Sequence, residues 1–148
     1  MQPSRFDWLV RIKVVEREYA AMRLAADRFL AEVRHDPGLL TSDLRPRDAV
    51  HAASHLEGTY VVRLFAEFET GLRSYWRSVR RTRPSAEVLI ERIADLRRIP
   101  DDLRDDANGV RTYRNSLVHE REEAGHPVPM ALARSRLCMF FDRLPQQW

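Results

Sequence analysis

The chain has 148 residues, 44% of them apolar and 32% charged, which suits one packed domain and is too apolar for a disordered chain. Its formal charge of +3 permits a nucleic-acid partner without requiring one. No apolar run reaches the roughly 18 residues of a membrane span, so the expected protein is a soluble globular one with no membrane partner.

The elements follow in chain order. Trp8, Ile12, Val15, Tyr19, Met22, Ala26, Phe29 and Val33 recur by four and three residues, one apolar stripe on a long helix. His35-Asp36-Pro37-Gly38 ends it. Pro46 opens a second long helix, expected to run to about Arg81. Its inward side reads Val50, Ser54, Val61, Leu64, Phe65, Phe68, Leu72, Tyr75 and Val79, with Gly58 on the same side, where a missing side chain lets a neighbouring helix approach. Ser85 is placed to cap a third, shorter helix, with Leu89, Ile93 and Leu96 inward and Ile99-Pro100 at its end. Asp101-Asp102 suits the N-terminus of a fourth, whose apolar face is Leu103, Ala107, Val110 and Leu117. Gly125-His126-Pro127-Val128-Pro129 reads as a loop. A last helix runs from about Met130 to Leu144 with Leu137, Phe140, Phe141 and Leu144 inward. Period-two alternation, internal repeats and low-complexity stretches are missing. The expected fold is all-α, an antiparallel bundle of about five helices forming a single domain over residues 1–148.

Cys138 is the only cysteine, so no intramolecular disulfide can form. Met1-Gln2-Pro3-Ser4-Arg5 lacks the apolar stretch of a secretory signal. A reducing, cytoplasmic setting is the expectation.

The densest chemistry lies in Tyr113-Arg114-Asn115-Ser116-Leu117-Val118-His119. Arginine is a permanent cation whose fork matches phosphate oxygens, and histidine both takes and gives a proton near neutrality. Cleavage of RNA by its own 2'-hydroxyl needs those two services and no metal. On an ideal helix Arg114 and His119 stand roughly 140° apart, whereas Asn115 and His119 share a face, so the amide could orient the imidazole. One helix does not close such a site, and a second copy packed nearby would complete it. An Arg and a His at this spacing also arise by chance, and the residues alone leave a purely structural role open.

Arg-Asn followed by Ser-Leu-Val-His late in an all-helical domain of this size resembles the HEPN family (higher eukaryote and prokaryote nucleotide-binding). The family signature is Arg, four to six residues, then His, often with a polar residue directly after the Arg; Arg114, Asn115 and His119 fit it at the four-residue spacing. The stretch Thr59 to Glu69 is also similar in character, although only the short signature is specific. The resemblance implies a homodimer with the two signatures facing each other and a metal-independent endoribonuclease, often a toxin held by an antitoxin protein or a phage-defence nuclease. Catalytic roles then fall to Arg114, Asn115 and His119, with RNA as substrate and no cofactor. Some family members have lost catalysis and serve as scaffolds. Toxins silenced by a nucleotidyltransferase carry a Tyr two residues after the His; here that residue is Arg121, which argues against that mode of control.

Arg73, Arg77, Arg80 and Arg81 follow i, i+4, i+7, i+8, a basic stripe with Tyr75 and Trp76 interleaved and Arg83 just beyond. It could track RNA phosphates and stack a base; a solvated face complementing the helix's C-terminal dipole explains it as well. Arg111, one turn before Arg114, could also reach phosphate. The basic side chains are almost all arginine, Lys13 being the only lysine, a bias that gene base composition explains more simply than phosphate binding. Glu69 could orient an Arg or a His of the site, although pairing with a half-buried arginine is plainer. His51 and His55 are one turn apart, and Glu32-x-x-His35 and Glu123-x-x-His126 have di-iron spacing, but inward carboxylates to complete a metal set are not evident. Nucleophile motifs, phosphate-cradling glycine loops and zinc-finger spacings are missing. The rival readings are a non-catalytic dimeric module binding RNA, a nucleotide or a protein, and a metal-bearing bundle.

Overall fold

The structure is a computed structural model describing residues 4–41, 43–119 and 125–148. It contains five α-helices: α1 (Arg5–His35), α2 (Pro46–Val79), α3 (Ala86–Arg97), α4 (Asp101–Val118) and α5 (Met130–Phe141), with a short 3₁₀ turn at Pro37–Leu39. Among the described residues there is no strand, and the all-α bundle expected from the sequence is what forms.

Local chemistry sets the helix ends. Ser4 and Asp7 form a reciprocal capping box: the Ser4 N–H donates to the Asp7 carboxylate at 3.1 Å and the Asp7 N–H donates back to the Ser4 hydroxyl at 3.2 Å. Two hydrogen bonds to its charged form hold the Asp7 carboxyl below the usual carboxylate range. Pro46 takes the first position of α2, where no N–H is needed. Asp48 accepts from the Arg45 N–H at 2.8 Å. The Ser85 hydroxyl caps α3, and Arg98 ends that helix at φ 52°, a left-handed conformation more usual for glycine. Strong caps matter here because α3 has only 12 residues and short helices hold little stability of their own.

Helix α2 is the hub, packing against each of the other four helices. Phe65 and Phe68 from α2 and Phe140 and Phe141 from α5 are fully buried, with Phe68 edge-on to Phe140 at 5.7 Å between centroids. Each such ring contributes roughly 1.5–3 kcal/mol by leaving water. Gly71 lets α5 and α1 close on α2: a Cβ there would lie 2.7 Å from the Phe141 ring and 3.1 Å from Trp8. The C-terminal residues are tied back onto α2, with the Trp148 indole N–H donating to the Ser74 hydroxyl at 3.1 Å.

The apolar stripes run further along the chain than the core does. In α1 the core takes Trp8, Ile12 and Val15, and in α2 it begins at Val61. Beyond those points the two helices continue as a two-stranded arm in which Met22, Phe29 and Val50, expected inside, are exposed. Ser54, Val79 and Leu96 are likewise exposed. Two helices alone cannot cover the full stripe that either presents. Helix α2 also stops at Val79, not near Arg81, and α5 stops at Phe141.

Candidate functional site

Helix α4 carries the signature on an inward seam. Leu103, Ala107 and Val110 are buried along it, and the next inward position, four residues on, is Arg114. The structure therefore places an arginine where the pattern calls for an apolar side chain. Arg114 is half-buried, and its guanidinium carbon lies 5.6 Å from the centroid of the Phe65 ring, a cation–π approach. Its Nη1 donates to the Asn115 Oδ1 at 2.9 Å. Its Nε is buried without a hydrogen-bond partner among the described residues.

Most other half-buried arginines are ion-paired, Arg5 being held instead by the Asp142 and Leu144 carbonyls. Arg23, Arg73, Arg104, Arg111, Arg134 and Arg136 each sit within ion-pair distance of a carboxylate. Arg114 has no carboxylate partner among the described residues; an aromatic face and a neutral amide hold it. The fork of such a guanidinium matches the oxygens of an incoming phosphate or carboxylate.

His119 is not a helical residue. It is the C-cap of α4, with extended backbone (φ −120°, ψ 124°), and its N–H donates to the Asn115 carbonyl at 2.9 Å. Its side chain is exposed. The expected amide-to-imidazole bond is replaced by a different arrangement: the Asn115 side chain serves Arg114, and the link to His119 is through the main chain. Asn115 thus joins the two, but Arg114 faces the bundle and His119 the solvent. Arg121 and Glu123 lie outside the described residues.

The arginines proposed for RNA contact separate into two groups. Arg73 is engaged, with Glu69 at 2.6 Å and the Pro84 carbonyl at 2.9 Å, so Glu69 has the plainer of its two expected roles. Arg111 donates to Asn108 at 3.0 Å and lies 3.4 Å from Glu87, tying α4 to α3. Arg80 and Arg81 follow the end of α2, so the helical stripe expected of all four arginines is cut at Arg77. Arg80 is extended and donates to the Val79 carbonyl. Arg77 and Arg83, with Trp76, line a hollow of about 440 Å³, and the Trp76 indole N–H donates to Thr82 at 3.0 Å.

His51 and His55 do not act as a side-chain pair. The His55 Nδ1 lies 2.7 Å from the His51 carbonyl oxygen. Among the described residues no group of three or more His, Cys, Asp or Glu side chains is placed to hold a metal ion. Cys138 is buried, and desolvation pushes its thiol up. Burial likewise pushes the Tyr113 phenol up, with the Glu57 charge adding. No described helix is long and apolar enough to cross a membrane.

Sequence reasoning missed Phe65 as the platform under Arg114, having read it only as core. The signal was present: Phe65 lies on the inward side of α2, and Arg114 continues the inward spacing of Val110. No protein-family model matches the chain, and neither does any curated protein or solved structure.

Proposed function

We propose that the chain is a metal-independent endoribonuclease of the HEPN type, acting as a homodimer on single-stranded or looped RNA. The observation that carries this reading is Arg114, a half-buried guanidinium with no carboxylate partner among the described residues, held by Phe65 and Asn115 on the helix that ends in an exposed His119. A stabilising role would be better served by an apolar residue, or by the ion pairs that hold the comparable arginines.

In the proposed reaction the ribose 2'-oxygen attacks the adjacent phosphorus and the bond to the 5'-oxygen breaks. One His119 imidazole takes the 2'-hydroxyl proton, and the protonated His119 imidazole of the second copy delivers a proton to the departing 5'-oxygen. Arg114 stabilises the charge that builds on the non-bridging oxygens. Each chain brings one His119, and it lies outward from Arg114. A second copy facing the first supplies both proton-transfer groups and a second arginine to a common cleft. Single-stranded or looped RNA is the substrate because there the 2'-hydroxyl can swing in line with its phosphate. Arg77 and Arg83 beside Trp76 offer a secondary track for backbone phosphates. A toxin controlled by an antitoxin, or a phage-defence nuclease, is the setting this chemistry suits.

The test is cleavage of a labelled single-stranded RNA in excess chelator. Wild type should cut, while Arg114→Ala and His119→Ala should not, with unchanged far-ultraviolet circular dichroism. Cleavage surviving both changes removes the proposal. A wild type that binds RNA in a salt-dependent way but leaves it uncut supports the non-catalytic module instead.

A further inference from the structure

Helices α2 and α4 pack antiparallel: Arg114 lies over Phe65, while further along α4 Leu117 packs at Gly58, with 3.2 Å between its methyl and a Cβ built there. The C-terminal end of α4, closed by His119, therefore runs toward the N-terminal third of α2. At that end the two helices diverge around a groove of about 380 Å³ whose walls include His55, Thr59, Val62, Arg63, Tyr113 and Leu117. That volume falls in the range of small-molecule sites, roughly 300–1,000 Å³, and suits one nucleoside.

The hydrogen-bonding valences of the groove are biased. With the hydrogen on Nδ1, the His55 ring donates to the His51 carbonyl at 2.7 Å, the Ser54 hydroxyl also lying 3.4 Å from that nitrogen, and Nε2 is the acceptor of this tautomer. The Thr59 hydroxyl donates to the His55 carbonyl at 3.0 Å, leaving its lone pairs free. The Ser54 hydroxyl donates to the His51 carbonyl at 2.7 Å in the same way. Three side chains able to accept, Ser54, His55 and Thr59, thus line the same groove as Val62, Leu117 and Tyr113. Arg63 supplies the donor edge, with one of its nitrogens held by Glu18 at 2.6 Å. A matching ligand is flat, with apolar faces and N–H groups on its edge.

We propose that this groove binds the base of one RNA nucleotide next to the cleaved bond, favouring the bases with an exocyclic amino group, adenine, cytosine and guanine, over uracil. The proposal rests on the ribonuclease reading for bringing RNA to this end of α4. A base sandwiched between the two helices would also hold the neighbouring phosphate close to the α4 terminus, where His119 stands.

The test is binding of non-cleavable 2'-O-methyl oligonucleotides to the full chain, read by fluorescence anisotropy at fixed salt. Wild type should prefer oligo(A) and oligo(C) to oligo(U) by about ten-fold, the scale of one or two net hydrogen bonds. His55→Phe keeps a ring but loses the acceptor, and should abolish the preference with little change in oligo(U) affinity or in urea midpoint. Thr59→Val should reduce it in part. Equal affinities in wild type, or a preference surviving His55→Phe, overturns the proposal. If His55→Phe instead removes one limb of the pH–rate profile and leaves the base preference intact, His55 moves a proton and the base-binding role falls. Because the oligonucleotides cannot be cut, the outcomes separate. A preference dependent on His55 in a protein that never cleaves RNA sinks the ribonuclease reading and keeps the groove, while cleavage without a base preference does the reverse.

Discussion

Replacing Arg114 with methionine separates a residue placed for chemistry from one placed for stability. The substitution removes the cation–π approach to Phe65, worth about 0.5–1 kcal/mol at a half-exposed site. It also removes the Nη1 bond to Asn115, worth about 0.5–1.5 kcal/mol. In the other direction, it eliminates the buried Nε that lacks a partner among the described residues, which costs about 1–3 kcal/mol. The thioether, a chain of similar reach, packs on the same ring for about 0.3–1.5 kcal/mol. The losses come to about 1–2.5 kcal/mol and the gains to about 1.3–4.5 kcal/mol, so stability should hold or rise, by about 1 kcal/mol at the midpoints, or about 3 °C in a domain of this size. Urea unfolding compared at constant m gives the value, and RNA cleavage by the same preparation gives the function. The expected result is a folded, stable and inactive protein. A loss of about 3 kcal/mol would make Arg114 a structural residue, and retained cleavage would remove it from the site; either outcome refutes the reasoning.

Two glycines should respond oppositely to alanine. Gly71→Ala forces a methyl against the Phe141 and Trp8 rings of a filled core and should cost about 1–3 kcal/mol, outweighing the gain of up to about 1 kcal/mol in helix propensity. Gly58→Ala meets only the terminal methyls of the exposed Leu117, which can swing aside, so its urea midpoint should hold or rise slightly. Asp7 has a folded-state pKa below its unfolded one, so its contribution to the α1 cap is present above the unfolded value, near pH 4, and is lost as pH falls through the folded value. The stability gap between wild type and Asp7→Asn should accordingly close in acid, as read from urea midpoints across that range. Cys138 is buried with its thiol pushed up, so a disulfide reagent should modify it at the rate of global unfolding and rapidly only in denaturant.

How much of this was legible in the sequence follows from which forces are local. Caps and breakers at Pro37, Pro46, Ser85 and Pro100 act within a turn of where they stand, and the helix order they imply is the one that forms. Burial is not local. The apolar stripe of α1 reads the same at Ile12 as at Phe29, but only the first half is covered by α5 as well as α2, so Phe29 stays 43% exposed while Ile12 is fully covered. The signature shows both behaviours. Its residues were visible from spacing alone, and so was the failure of Arg114 and His119 to share a face. The capture of Asn115 by Arg114 instead of His119 was not legible, because α4 ends one residue before the histidine and the ideal helical geometry stops with it. The basic stripe failed for a similar reason: helical continuity ends at Val79, and Arg73 finds Glu69 one turn back. The groove at His55 depends on where α4 crosses α2, which no spacing within either helix encodes.

The most direct measurement is the chemistry of the cut ends. A single-stranded RNA incubated with purified chain in excess chelator should yield fragments ending in a 2',3'-cyclic phosphate and beginning with a 5'-hydroxyl, as attack by the 2'-oxygen requires. The same RNA with a deoxyribose at the cleaved position should stay whole. Arg114→Ala and His119→Ala chains, each inactive alone, should regain only weak cleavage when unfolded and refolded together, because the mixed dimer holds one intact arginine but one of the two imidazoles. Intact RNA with wild type, or cleavage of the deoxyribose substrate at that position, would contradict a site built from Arg114 and His119.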